Sequence, residues 1–140
     1  MKRLYMIAAL ALLCLVTTAC PDDPKDDPIN IIGEWQLSQI STKATIGGQT
    51  VDVYIAFKEG GSFEMYQMLG TGRYRKFEGS WTLTDKVLSG SYSGGSRWAS
   101  DYNVEMDAGR TMLTLITLDG SETDTYRKQA IPEDVKNNAL

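Results

Sequence analysis

Most of this chain consists of short stretches of β-branched and aromatic residues that end at glycine or aspartate, and this pattern restricts the fold more than any other feature. The clearest stretch is 51–57, where valine, isoleucine or phenylalanine at odd positions alternates with Asp52, Tyr54 and Ala56. Alternation with a period of two is typical of a strand that buries one face. The sequence therefore predicts an all-β domain.

Eight such stretches follow one another after Ile29, and most of the connections between them are short. Short connections favour an eight-stranded antiparallel up-and-down β-barrel, which has no exposed edge. A seven-stranded sandwich with Greek-key connections is the alternative. One helical turn is predicted after the last strand, where Pro132 can stand at its first position. The predicted strands are 32–41, 51–57, 62–69, 73–83, 87–93, 98–106, 111–117 and 122–128.

The first twenty residues resemble the leader of a bacterial lipoprotein. Lys2 and Arg3 precede thirteen apolar residues, 4–16, and small residues then lead to Cys20. This order matches the parts of a secretory signal, and the apolar run is shorter than the roughly 20 residues that cross a bilayer. The resemblance implies a signal peptide over 1–19. It also implies that Cys20 carries fatty acyl chains such as palmitate and holds the protein at the outer membrane of the cell envelope.

Residues 20–29 contain three prolines and four aspartates and no apolar side chain between Cys20 and Ile29. Such a segment cannot bury enough surface to fold, so we expect a disordered tether. It is either a solvated spacer or, by its resemblance to the acidic export signal of Bacteroidetes lipoproteins, a signal for exposure on the cell surface. The predicted organisation is a leader over 1–19, a tether over 20–29, a barrel over 30–129 and a C-terminal tail over 130–140.

The composition excludes several functions. Removing the leader leaves 121 residues, which is enough for one domain, and its loss of Lys2 and Arg3 changes the formal charge from −4 to −6. An acidic chain without a basic patch argues against nucleic acid as a partner. There is no histidine, and Cys14 leaves with the leader while Cys20 is acylated. The usual metal ligands and the usual general base are therefore missing, and the sequence predicts no cofactor, no metal and no enzyme.

Gly33-Glu34-Trp35 at the start of the first strand and Arg127 in the last strand resemble the signature of the lipocalin, or calycin, family. The resemblance implies that Trp35 closes the narrow end of the barrel and that Arg127 lies across its indole, a contact that gains about 0.5–2 kcal/mol. The hairpin over 55–63 is similar to one in small lipocalin-like lipoproteins of the Bacteroidetes. Residues 30–129 are therefore predicted to form a lipocalin-like barrel.

A barrel of eight strands is either filled by its own side chains or holds one small ligand. In the first case the barrel is a rigid scaffold that meets a protein or a glycan at the cell surface through exposed tyrosines, namely Tyr54, Tyr66, Tyr74 and Tyr92. In the second case, which we favour, it binds a small apolar or amphipathic molecule. If Trp35 faces inward, the candidate ligand-binding residues of the same face are Phe57, Phe63, Met65, Gln67, Trp81, Tyr102 and Val104.

Overall fold

In a computed structural model, the part of the chain that is described forms an antiparallel β-barrel with one short helix on its outer surface. The structure describes residues 28–40, 45–46 and 49–140, with the backbone alone at 39–40 and 45–46. The predicted signal peptide, Cys20 and most of the tether lie outside the described residues. The elements are β1 (Gly33–Ile40), β2 (Thr45–Ile46), β3 (Gln49–Phe57), β4 (Ser62–Leu69), β5 (Arg75–Thr84), β6 (Val87–Tyr92), β7 (Tyr102–Met106), β8 (Met112–Thr117), β9 (Thr123–Lys128) and α1 (Glu133–Asn138).

The barrel is closed by β1, which pairs with β9 on one side and with β3 on the other. Every other pairing joins strands that follow one another in the chain. Eight strands, β1 and β3–β9, therefore form the predicted up-and-down barrel, and the sandwich is excluded. Two details differ from the prediction. The chain adds the two-residue strand β2 beside β3, and β7 begins at Tyr102 instead of residue 98.

The turns at one end of the barrel are tight. Asp85 and Lys86 both have positive φ, 49° and 66°, as the central residues of a two-residue type I′ hairpin require. In the β7–β8 turn the Asp107 carboxylate accepts the backbone N–H groups of Thr111 and Met112, each at 2.7 Å. The opposite end carries the nine-residue connection 93–101, the longest among the described residues. We call the end with the tight turns, where Trp35 lies, the closed end and the opposite end the open end.

Side chains that face inward near the closed end form the core. The largest fully buried side chains are Trp35, Phe57, Phe63, Ile31, Leu88, Leu113 and Val104. Aromatic edges stabilise this packing, since the Trp81 ring meets Phe57 nearly perpendicularly with centroids 5.6 Å apart. Such edge-to-face pairs contribute about 0.5–1.5 kcal/mol beyond burial. We call this part of the interior the closed half.

A second apolar cluster lies on the outside of the barrel. Tyr54, Ala56 and Tyr66 face outward from β3 and β4, yet they are buried because Ile131 and Val135 pack over them. The prediction that tyrosines form an exposed docking surface is therefore wrong. Tyr54 and Tyr66 lie under the C-terminal segment, Tyr74 packs beside them and Tyr92 faces the barrel interior.

Polar contacts hold the C-terminal segment in place. Glu34 accepts the Ile131 N–H at 2.8 Å and pairs with the Lys136 ammonium at 2.8 Å. Burial alone would raise the pKa of Glu34, but these hydrogen bonds outweigh it and lower that pKa. The Leu140 N–H donates to the carbonyl of Tyr74, just before β5, at 2.8 Å, and the Leu140 carbonyl accepts the N–H of Lys76 in β5 at 2.9 Å. The predicted helical turn is confirmed as α1, and all the strands and the helix that the structure describes lie within residues 28–140.

We predict that Ile131→Ala lowers the free energy of unfolding by about 2–4 kcal/mol, because it leaves a cavity between the tail and the barrel wall. Ile131 is only 3% exposed. Urea unfolding followed by circular dichroism measures the change. Asn137→Ala, an exposed position on the same segment, is the matched control and should stay within about 0.5 kcal/mol. Equal stability of the two variants would mean that the tail does not cover the barrel.

Candidate ligand-binding site

The closed end is sealed by Trp35. Its ring is 1% exposed, and its indole N–H donates to the carbonyl of Ile31 at 2.8 Å. The cation over the ring is Lys128, whose ammonium lies 5.7 Å from the ring centroid. Gly33 lies close in space to both side chains. Its φ of 140° is a backbone conformation that favours glycine. The expected cation-capped tryptophan is therefore present.

The expectation that Arg127 supplies that cation is wrong. In β9 the residues alternate between the two faces, and Tyr126 faces inward, so Arg127 faces outward. Its guanidinium donates to the Gln36 side-chain oxygen at 2.6 Å. Gln36 in turn donates to the hydroxyl of Tyr54 at 3.1 Å. Arg127 thus ties β9 to β1 and β3 on the outer wall, while Lys128 takes the inward position.

The other end of the interior is open. There the side chains still face inward, but they remain partly exposed, whereas most of those in the closed half are buried. A cavity of about 430 Å³ lies on the β4–β5 side of this end, and that volume is within the usual range of small-molecule pockets. It is lined by Gln67, Leu69, Arg73, Arg75, Phe77 and Leu140. We call this part the open half; its inward-facing members are Leu37, Val51, Met65, Gln67, Arg75, Phe77, Tyr92, Trp98, Tyr102 and Asp124.

Trp98 enters the open half from a connection, not from a strand. Its ring packs on Phe63 with centroids 5.0 Å apart and on Tyr102 at 6.3 Å. The backbone N–H of Trp98 donates to the carbonyl of Gly90 at 2.9 Å. A side chain at Gly90 would overlap the indole ring of Trp98. Gly90 therefore makes room for the tryptophan, which forms an aromatic wall between the two halves.

Asp124 gives the open half an acidic group. It lies opposite Leu115 of β8, and like Tyr126, two residues further along, it faces inward. Burial, with a further contribution from the charge of Glu122, raises the pKa of Asp124. Burial is the main cause that raises the pKa of Tyr102 and of Tyr126, and the negative charge of Asp124 is the second. A carboxylate and tyrosine hydroxyls therefore share a poorly hydrated region of the barrel.

We predict that Asp124→Asn raises the melting temperature at neutral pH. Because the folded-state pKa of Asp124 lies above its unfolded value, the wild-type chain loses stability as the pH rises through that interval. The advantage of the variant should therefore vanish below about pH 4, where the carboxyl is protonated in both states. Melting curves from pH 3 to 8 test this, with Glu105→Gln on the outer face as the control. A loss of stability in Asp124→Asn at neutral pH would contradict the prediction.

The structure separates the seven predicted ligand-binding residues into two groups. Met65, Gln67 and Tyr102 lie in the open half. Phe57, Phe63 and Val104 are 1–2% exposed and belong to the core of the closed half. Trp81 closes the barrel beside Phe57 and donates its indole N–H to the carbonyl of Ser62 at 2.8 Å. Four further residues of the interior were not predicted from the sequence, although their spacing from Tyr102 or from the strand ends places them on the inward face. They are Tyr92, Trp98, Asp124 and Tyr126.

A wider groove of about 670 Å³ lies outside the closed end, where the chain enters the barrel at Ile29 and Asn30 beside the β7–β8 turn. Its walls consist mainly of exposed polar side chains, among them Asn103, Glu105 and Asp107. Ligand pockets are usually apolar with few polar groups. We therefore place the candidate site in the open half, where apolar and aromatic side chains surround a few polar groups.

The fold and the site define a class of protein, the small antiparallel barrel that is closed at one end by a tryptophan and open at the other. The family model of the lipocalin-like domain matches residues 31–113, and the chain belongs to this lipocalin-like family. Members typically serve as binding scaffolds and not as catalysts, and their barrels suggest small-ligand binding in general. No curated protein matches the chain. Among the described residues, no helix has the length and hydropathy to cross a membrane.

Proposed function

We propose that this chain is a non-catalytic binding protein, anchored at the outer membrane through acylated Cys20, that takes up a small apolar or amphipathic molecule in the open half of its barrel. The observation that carries this proposal is the contrast between the two halves. Most inward-facing side chains at the end that Trp35 closes are buried, apart from Trp81, Leu83 and Met106 beside its turns, whereas those of the open half are partly exposed. Apolar side chains that face inward and still meet solvent favour the binding of an apolar body, which would remove them from water.

The ligand part of the proposal is tested on fragment 28–140, secreted by the host organism and purified without detergent. Native mass spectrometry should then detect an additional mass of a few hundred daltons, which would be lost when the fragment is unfolded. A second sample should take up ligand from added lipid and aromatic mixtures. A bare mass under both conditions would contradict ligand binding and favour the filled scaffold.

The anchor is tested by labelling growing cells with radioactive palmitate. The wild-type protein should carry the label, and Cys20→Ala should not, because it lacks the thiol that is acylated. Cys14→Ala is the matched control, since this second cysteine lies within the leader, and it should stay labelled. Label on Cys20→Ala would contradict the lipoprotein assignment.

The acidic tether between Cys20 and Pro28 supports exposure of the barrel on the cell surface. Protease added to intact cells should then remove the barrel. Replacement of the four tether aspartates by asparagine should protect it while leaving palmitate labelling unchanged. If the aspartate-free tether leaves the barrel equally accessible, the acidic residues act only as a spacer.

A further inference from the structure

We propose that the open half binds a small molecule that carries a positively charged nitrogen on an apolar body, with Asp124 as its counter-ion. This inference rests on the proposed function and names the ligand class of the same site. Three observations carry it: the position of Asp124, the hydroxyl of Tyr126 and the aromatic rings beside them.

Asp124 is a carboxylate without a partner. It faces the interior and is partly buried, and it accepts no hydrogen bond and forms no ion pair in the part of the chain that the structure describes. A carboxylate withdrawn from water without a donor is unfavourable. A ligand ammonium group would supply the missing donor and the missing positive charge together.

Tyr126 supplies the second polar group. Its side chain is only 8% exposed, and its hydroxyl has no hydrogen-bond partner among the described residues. No fully buried polar side-chain atom of those residues lacks a partner. The hydroxyl of Tyr126 must therefore border accessible space, beside Asp124, where it can accept a hydrogen bond from an ammonium group.

Aromatic rings complete the site. Tyr102 lies opposite Thr117 of β8, two residues from the Leu115 that lies opposite Asp124. Trp98 packs on Tyr102, and both Trp98 and Tyr92 pack on Phe63. The negative face of an aromatic ring attracts a cation, most strongly where water is excluded. These rings also offer apolar surface to the uncharged part of the ligand.

The surrounding charges favour the same ligand. Glu122, in the connection just before β9, adds a negative charge close to Asp124. The arginines of this end, Arg73 and Arg75, are exposed and belong to the β4–β5 wall. In the order of strands around the barrel, β5 lies four positions from β9 in either direction. β5 thus lies across the barrel from β9, and because both guanidinium groups are exposed, solvent screens them more than it screens the partly buried Asp124.

Calorimetric titration of fragment 28–140 tests the inference with three probes of the same size and shape. Phenethylamine is cationic, phenethyl alcohol is neutral and hydrocinnamate is anionic. We expect phenethylamine to bind at least tenfold more tightly than the other two, since a charged hydrogen bond is worth that factor or more. Asp124→Asn should abolish this preference while retaining weak binding of all three. Glu105→Gln, an exposed position on the outer face of β7, is the matched control and should keep the preference for the amine.

The outcomes separate the inference from the proposed function. Equal binding of the three probes, or tightest binding of hydrocinnamate, would overturn the cationic ligand and leave a binding barrel. No binding of any probe, together with a bare native mass, would overturn both. Circular dichroism of Asp124→Asn confirms that it is folded. Tyr126→Phe removes only a hydroxyl and is expected to weaken the amine more than the alcohol.

Discussion

Trp35→Ala is expected to lower the free energy of unfolding by about 3–5 kcal/mol, which is the usual range for a buried large aromatic side chain. The substitution empties the middle of the closed half, breaks the hydrogen bond from the indole to Ile31 and leaves the Lys128 ammonium without its ring. For a chain of this size the melting temperature should fall by roughly 10–20 °C. Circular dichroism is the measurement of choice, since the removed tryptophan alters fluorescence directly.

Two further variants divide this effect into its parts. Trp35→Phe keeps most of the ring and loses the indole N–H, so it should cost much less than Trp35→Ala. Lys128→Met keeps an aliphatic chain over the ring and removes the charge, which costs about 0.5–1 kcal/mol. A melting curve of Trp35→Ala that matches the wild type would contradict the whole barrel assignment.

The strands of this barrel could be predicted from the sequence because their period of two is strict. In β3 and β4 most inward apolar residues face another across the pair, as Ile55 faces Met65 and Phe57 faces Phe63, and only Val53 faces a polar residue, Gln67. A slip by one residue would turn both sets toward solvent. The hydrophobic pattern and the glycine turns thus define the same register, and the strand limits agree within two residues, apart from the start of β7.

The cation at the closed end could not be chosen by resemblance. Arg127 and Lys128 are adjacent, and only one of them can share the inward face with Tyr126. Counting in steps of two from Tyr126 selects Lys128 and also brings Asp124 into the interior. From its chemistry alone an aspartate in a strand is expected to face solvent, so the acidic group of the site escaped prediction.

The covered outer face was missed for a different reason. Tyr54 and Tyr66 have the parity of solvent-facing residues, and their burial depends on a segment that lies 65 residues or more further along the chain. The signal was present in the sequence, since Ile131 and Val135 are four residues apart and so share one face of the turn that Pro132 begins. Which surface they cover depends on tertiary packing alone.

Gly79→Ala should be as damaging as the loss of Trp35, although it adds a single methyl group. Gly79 lies in the middle of β5, opposite Phe63 of β4 and Tyr92 of β6. An added Cβ would overlap the carbonyl oxygen of Ser91 and approach the Phe63 ring to 2.9 Å. Because the obstacle is backbone, it cannot move aside as a side chain would. The pairing of β5 with β6 must therefore open, at a cost of about 3 kcal/mol or more.

Gly94→Ala is the matched control, since nothing lies within 4 Å of its added Cβ and its φ is not in the left-handed region. This variant should equal the wild type or exceed it by about 0.5 kcal/mol, because alanine restricts the unfolded chain. Urea unfolding measures both variants. The displacement of Phe63 and Tyr92 in Gly79→Ala should also disturb the aromatic wall and weaken phenethylamine binding in the fraction that remains folded. Equal stability of Gly79→Ala and Gly94→Ala would show that β5 does not pair with β6 in this register.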